Sequence, residues 1–431
     1  MNLRKIFLLL PLFIVVFSFS NVYAAAADDN NIKVDIVTSG RLPVLIKNRM
    51  ERSVTVIADQ LMSGKQFADI TDKKIQYENI IKDVFDKILI GYTVSNVNIY
   101  FDKSNVYVTI NLLPWNDVIT NVDVDIKTDG VSADIANLAI SDIQGVDELF
   151  KNNLCGLPVD AVDWTNGVLK RSLDDFMKIH LPEFRADFEM TPGINTKITI
   201  TIYPRMPVVR NIDLKMRSSS MPNIYLLQER LYFQEQTNIL LGVPVDFVER
   251  HKKYFAVRLT KTLDKQKAFS MVKMHTTVDI EPGEKTYITT HSDTDRYNIN
   301  LEGWVDFGRN NDNDSIYRAH LGKNINKKNE VFSEVFFKPQ DAVVKWAVGY
   351  DYHFNDQWKL GGRYFFRDGI KTIDVQRKFN NRWQGRFNYL LTKDSWETAI
   401  RYRIHDFVGL EYIWQNLDNR ESKWIRLIGT F

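Results

Sequence analysis

Val344-Lys345-Trp346-Ala347-Val348-Gly349-Tyr350-Asp351-Tyr352-His353-Phe354 alternates without a break. Its even positions carry Val, Trp, Val, Tyr, Tyr and Phe, and its odd positions Lys, Ala, Gly, Asp and His. Successive side chains of a strand point to opposite faces, so one face of this segment suits hydrocarbon and the other does not. Tyr297, Ile299, Leu301, Val305 and Phe307 alternate in the same way with Asn298, Asn300, Glu302, Trp304 and Asp306. So do Trp396, Thr398, Ile400, Tyr402 and Ile404 with Glu397, Ala399, Arg401 and Arg403. Segments of about ten residues with this pattern, separated by short polar turns, are the mark of an antiparallel transmembrane β-barrel.

Turn signals at Asn355-Asp356, Asp368-Gly369, Asn380-Asn381, Lys393-Asp394 and His405-Asp406 divide the region from Tyr297 onward. Ten strands follow: 297–308, 314–325, 330–338, 342–354, 357–367, 370–379, 383–392, 395–404, 407–416 and 421–431. An even number lets one chain close antiparallel. Trp346, Trp358, Trp383, Trp396, Trp414 and Trp424 fit interfacial girdles. The predicted inward set is Lys345, Asp351, Lys359, Arg363, Arg367, Arg386, Glu397, Arg401, Arg403, Glu411 and Arg426, with Glu302 and Asp374 beside them. A ten-stranded barrel is narrow, and opposite charges in so small a space pair and fill it. The alternative is a small channel that prefers anions.

Upstream, the sequence repeats. Val106 to Ile110 followed by Pro114 recurs 90 residues later as Thr196 to Ile200 followed by Pro204. Asn121-Val122-Asp123-Val124 matches Asn211-Ile212-Asp213-Leu214 at the same offset, and Pro192-Gly193 matches Pro282-Gly283. A fixed period of this length means tandem small modules rather than one large core. Each copy opens with an alternating strand, passes through a helical region, reaches Gly-Leu-Pro-Val-Asp at 156–160 or Gly-Val-Pro-Val-Asp at 242–246, and closes with two strands. Asp160 and Asp246 are placed to cap the helix that follows, and Val248, Phe255, Leu259 and Leu263 give it a core stripe. The first copy is the least typical, with an extended apolar pattern through Pro43 to Met62 and a helix over Tyr77 to Leu89.

The order strand, helix, helix, strand, strand, with a Gly-hydrophobic-Pro segment before the second helix, resembles the polypeptide-transport-associated (POTRA) domain. Three such α+β modules, at 32–115, 116–205 and 206–293, ahead of an all-β barrel at 294–431 resemble the outer-membrane superfamily that inserts barrels or translocates polypeptides. Two departures stand out: members of that superfamily use sixteen strands, for which this region is too short, and they carry a Val-Arg-Gly-Phe-like motif that is absent here. The last strand, with Ile425, Leu427, Gly429 and Phe431 at alternate positions, looks like the signal by which such proteins are handed to the assembly machinery. What the resemblance implies is a barrel-anchored periplasmic scaffold that binds polypeptide or envelope partners by strand addition. The edges for this are the opening strands, with Val122, Val124 and Ile126 in one module and Ile212, Leu214 and Met216 in the next.

The start of the chain agrees with export. Met1 to Ala24 has Arg4 and Lys5 ahead of an apolar run from Ile6 to Phe19 and then small residues, which reads as a secretory signal peptide. The expected location is therefore the outer membrane, with the modules in the periplasm; a soluble periplasmic binding protein is the reading without a barrel. Lys and Arg number 56 against 54 Asp and Glu, so nothing global points to nucleic acid. Cys155 is the only cysteine, which excludes an intramolecular disulfide and a cysteine metal knuckle. No His-Glu-x-x-His or Gly-x-Ser-x-Gly string occurs, and no metal or cofactor is expected. Asp351, His353 and His405 are the residues that most nearly imitate the rim acid and histidine of small-barrel outer-membrane enzymes; no enzymatic activity is expected from them.

Overall fold

The computed structural model of the chain describes residues 31–102, 105–115, 117–309, 315–417 and 420–431; the expected signal peptide lies outside them. Three small α+β modules precede a closed antiparallel barrel. The first has β1 (Asn31–Thr38), α1 (Val44–Met62), α2 (Phe67–Asp72), α3 (Lys74–Ile88), β2 (Tyr92–Asp102) and β3 (Asn105–Pro114). The second has β4 (Asn121–Thr128), α4 (Ala133–Asp142), α5 (Val146–Leu154), α6 (Val162–His180), β5 (Phe184–Thr191) and β6 (Asn195–Pro204). The third has β7 (Asn211–Arg217), α7 (Asn223–Thr237), α8 (Val245–Arg250), α9 (Lys252–Asp264), α10 (Lys267–Met271), β8 (Met274–Glu281) and β9 (Lys285–Thr294).

Each module builds a three-stranded sheet with its last strand in the centre and its first strand parallel to it at one edge, in the orders β1-β3-β2, β4-β6-β5 and β7-β9-β8. The parallel registers begin at Asn31↔Asn105, Asn121↔Asn195 and Asn211↔Lys285, each 90 residues beyond the last. The period therefore reaches back to Asn31-Ile32-Lys33-Val34 in the first copy, whose strand register matches the others while its helices differ from theirs. Its stretch from Val44 to Met62 is one long helix, because Ile46, Met50, Val54, Ala58 and Met62 recur every fourth residue and all are buried.

Two expectations about helix entry are corrected. Asp160 and Asp246 cap nothing through their side chains: Pro158 and Pro244 hold the N-terminal positions, in extended conformation, and neither accompanying turn has a side-chain cap bond. Proline presets the entry angle and brings no N–H to satisfy, while each Asp lies inside the first turn. The stripe of Val248, Phe255, Leu259 and Leu263 is buried but divided between α8 and α9 at His251.

The glycine of the repeated motif serves a joint. Gly156 has φ +100°, and a Cβ there would lie 2.4 Å from the carbonyl oxygen of Arg41, in the loop after β1. Gly242 repeats this in the third module, with φ +79° and the carbonyl oxygen of Gly130, after β4, 3.0 Å from its would-be Cβ. Trp164 adds a bond across the first joint, donating to the Ile90 carbonyl at 3.0 Å.

The barrel runs β10 (Tyr297–Phe307), β11 (Ser315–Asn326), β12 (Asn329–Lys338), β13 (Val343–His353), β14 (Trp358–Phe365), β15 (Ile370–Lys378), β16 (Trp383–Leu390), β17 (Ser395–His405), β18 (Val408–Leu417) and β19 (Arg420–Thr430). Sequential neighbours pair, and β10 closes on β19 from Glu302↔Thr430 to Phe307↔Ile425. On the module side three turns share one device. The Asn326, Asn355 and Asn380 carboxamide oxygens each accept from the backbone N–H groups two and three residues on, at 2.8–2.9 Å.

Candidate functional site: a filled lumen and open sheet edges

The barrel is inside out relative to a soluble protein. Its exterior exposes Val344, Trp346, Val348 and Tyr350 on β13, and Ile425, Leu427 and Phe431 at the end of the chain. Its interior buries Glu302, Asp306, His320, Glu330, Glu334, Asp351, Asp374, Glu411 and Arg426. Such an inversion is stable where the outside medium is hydrocarbon and every backbone group is paired in a closed sheet.

The interior charges form one connected chain of ion pairs. Arg363 stands between Asp374 (3.5 Å) and Glu334 (3.2 Å), and Glu334 is also held by Arg318. Arg318 reaches on to Glu302 at 3.3 Å, and Glu302 accepts from Arg401 at 3.0 Å and from the Trp304 indole at 2.8 Å. Arg401 continues to Glu411 (3.6 Å), which Arg386 and Arg426 also approach, at 3.3 and 3.7 Å. Arg386 donates to Glu397 at 2.7 Å, and Arg426 makes a forked contact with Asp306 at 2.6 and 2.9 Å. His320 bridges Glu330 (2.7 Å) and Glu334 (2.9 Å), and beside this chain Lys359 pairs with Asp351 at 2.5 Å. Three of these contacts, Arg363 to Glu334, Arg401 to Glu302 and Arg386 to Glu411, join strands that are not neighbours, and the other ion pairs run between adjacent strands, so the space is occupied by charged side chains in contact with one another. At the end away from the modules a cavity of about 220 Å³ remains, lined by both signs of charge, among them Lys345, Arg363, Asp368 and Glu397.

Of the residues read from the sequence as luminal, Arg363, Arg386, Glu397, Arg401, Glu411 and Arg426 lie in this network, Asp351 and Lys359 form a pair beside it, and Lys345 pairs with Asp368 at its outer end. Arg367 does not: β14 ends at Phe365, alternation stops with it, and Arg367 is exposed in the turn. Arg403 is exposed at the module end of β17, beside a register shift between Arg403 and His405. Trp424 leaves the proposed girdle; it is buried inside against Ala399 and Ile413, with the Arg309 guanidinium over its ring. The network also contains Arg318, His320, Glu330 and Glu334, which the alternation signals by a spacing of two on β11 and of four on β12. Asp351, His353 and His405 form no constellation: Lys359 occupies Asp351, and His405 ends a strand four positions round the barrel.

At the modules, β4 and β7 are sheet edges, hydrogen-bonded on one side. Val122, Ile212 and Leu214 are buried and Val124, Ile126 and Met216 half-buried, so these six side chains face their own module's helices. What the edge offers a partner is backbone, flanked by Asp123, Asp125 and Lys127 on β4 and by Asp213, Lys215 and Arg217 on β7. Asp213 accepts from Lys285 at 3.1 Å on the outer face of the third sheet, and this bond holds the Lys285 ammonium above its ordinary range.

No family model matches the chain, and no curated protein does either. Among solved structures it is similar to CdiB from Acinetobacter baumannii, at 10% identity over 87% of this chain and 73% of that one, with a TM-score of 0.19. It is similar to POTRA1-3 of the periplasmic domain of Omp85 from Anabaena, at 15% identity over 61% of this chain and 95% of that one, TM-score 0.17. A mutant Rh. blastica porin matches at 14% identity over 27% of this chain, TM-score 0.20. The chain spans about half the length of the first solved chains it matches, 50% and 44%. The architecture is that of three small α+β modules joined to a closed ten-stranded antiparallel barrel.

Proposed function

We propose that the chain is a periplasmic scaffold anchored in the outer membrane, which captures polypeptides or envelope partners by adding a strand to its module sheets and so assists outer-membrane protein assembly or translocation. One observation carries this reading: the same edge strand recurs at a period of 90 residues on a barrel whose lumen is filled. An edge strand binds an extended peptide through main-chain bonds with little demand on its sequence, and charged flanking residues keep it from pairing indiscriminately.

Proline at Val124 or Leu214 removes a backbone donor and bends the strand. Either variant is expected to lose co-purification of polypeptide partners while hydrogen exchange shows the remaining sheet still protected. Undiminished capture by a folded proline variant defeats strand addition.

The rival reading is a small anion-preferring channel. With Arg318, Arg386 and Arg401 all held by carboxylates, the full-length protein in a planar bilayer is expected to remain closed. Steady single-channel steps in the unmodified protein would select the channel.

A further inference from the structure

A helix on the surface of a module needs one apolar stripe, facing its core. Helix α7 has two. Leu226, Phe233 and Thr237 are buried in the third module. On another face Ile224, Leu227 and Leu231 are 57%, 55% and 80% exposed. Their spacing of three and four residues sets them in one row about 10 Å long.

The repeat makes this row specific to the third module. Ninety residues earlier the same positions are Asp134, Asn137 and Ser141, and ninety before that Val44, Lys47 and Glu51. Asp134 has an assigned task, a salt bridge to Arg258 of the third module. The corresponding face of the third module has turned apolar where the next neighbour along the chain is the barrel.

The start of α7 is fixed to the barrel rim. The Asn223 N–H donates to the Phe431 carbonyl at 3.0 Å, the Ile299 N–H donates to the Ser220 carbonyl at 2.8 Å, and Arg217 pairs with Asp406 at 3.1 Å. The loop between β7 and α7 is itself braced, since the Asp293 carboxylate accepts from Ser218 Oγ (3.0 Å) and from the Ser219 and Ser220 N–H groups (2.6 and 3.1 Å). Phe431 continues the exposed outer row of Ile425 and Leu427 and is itself half exposed. The apolar row of α7 thus begins one residue from the lower edge of the barrel's lipid-facing belt.

We propose that Ile224, Leu227 and Leu231 seat α7 in the interfacial layer of the bilayer that surrounds the barrel, so that the third module is moored to lipid as well as to protein. The partner is a lipid surface, into which an amphipathic helix sinks its apolar face by ~5–10 Å. Arg230, beside the row, is long enough to reach phosphate groups with its stem along the apolar face. This rests on the membrane reading of the barrel, and the test separates the two.

The experiment uses the full-length chain with Cys155→Ser, reconstituted in phosphatidylethanolamine and phosphatidylglycerol vesicles and carrying one environment-sensitive fluorophore at Leu231→Cys, Val348→Cys or Glu281→Cys. The belt position 348 is expected to be quenched by lipids spin-labelled in the acyl chain, and the exposed β8 position 281 by none. Position 231 is expected to emit to the blue of 281 and to be quenched at least about twofold by lipids labelled near the headgroup. If 348 is quenched while 231 behaves like 281, the mooring is wrong and the barrel stands. A blue-shifted 231 without lipid quenching assigns the row to a second copy or a protein partner and overturns the proposal. If 348 escapes quenching as well, both readings fall.

Discussion

Replacing Glu334 with alanine is expected to lower the stability of the folded barrel by about 3–5 kcal/mol, the usual cost of leaving buried charges without their partner. Glu334 is fully buried, accepts from Arg318 and His320, and forms an ion pair with Arg363 at 3.2 Å. Its removal strands two guanidinium groups in a space closed to bulk water on the strand side. Arg318 keeps Glu302 and Arg363 keeps Asp374, but the contact at 3.5 Å between Arg363 and Asp374 is too long for a good hydrogen bond. The control is Lys345→Ala. Lys345 and Asp368 are each about one-third exposed at the outer end, and such a pair is worth ~0–1 kcal/mol. The measurement is the urea midpoint at which the folded, detergent-solubilised barrel loses its altered electrophoretic mobility. Equal midpoints for the two variants would mean that water reaches Glu334 freely, and the description of the lumen as filled would fail with it.

The same contrast explains which parts of the barrel the sequence disclosed. Alternation is a direct consequence of strand geometry, so the ten strands observed begin and end within two residues of those read from pattern and turns. Alternation carries no information beyond the last paired residue, which is why Arg367 and Arg403 were read as luminal: one lies past the end of β14, the other beside a shifted register. It also cannot say which inward residue meets which across the lumen. That depends on which strands face each other once the sheet has closed, and it is how Arg401 on β17 comes to meet Glu302 on β10. In the modules the 90-residue period exposes the repeated order, and Asn31-Ile32-Lys33-Val34 carries the same Asn-apolar-polar-apolar string as the strands that begin at Asn121 and Asn211, although no Gly-hydrophobic-Pro segment follows it in the first copy to mark the repeat. The outer row of α7 escaped for a different reason. Tyr225, Leu226 and Phe233 lie among Ile224, Leu227 and Leu231, so the helix is apolar nearly all round, and only burial tells the two stripes apart.

Gly156→Ala is expected to loosen the joint between the first two modules by about 3 kcal/mol, because two separate penalties fall on one residue. A left-handed backbone costs an L-residue ~1–2 kcal/mol, and Gly156 sits at φ +100°. The added methyl would then stand 2.4 Å from the Arg41 carbonyl oxygen, a backbone atom that moves only with its loop; overpacking of this kind costs ~1–3 kcal/mol. Gly145→Ala isolates the first penalty, since Gly145 has φ +92° and open space where its Cβ would be. Hydrogen exchange of the full-length protein reads both. In Gly156→Ala the amides of Ile119 and of residue 156, which donate to the Leu157 and Ile119 carbonyls across the motif at 2.8 and 3.0 Å, should exchange about a hundredfold faster, the factor that corresponds to ~3 kcal/mol. Gly145→Ala should change them by about tenfold, as ~1.4 kcal/mol requires. If the two variants exchange alike, the close approach to Arg41 contributes nothing, and the glycine of the repeated motif is there for its backbone angle alone. Under the proposed strand addition, a client that lies along β4 would sit beside the joint, so a loosened Gly156→Ala joint should weaken its binding while leaving the edge itself intact.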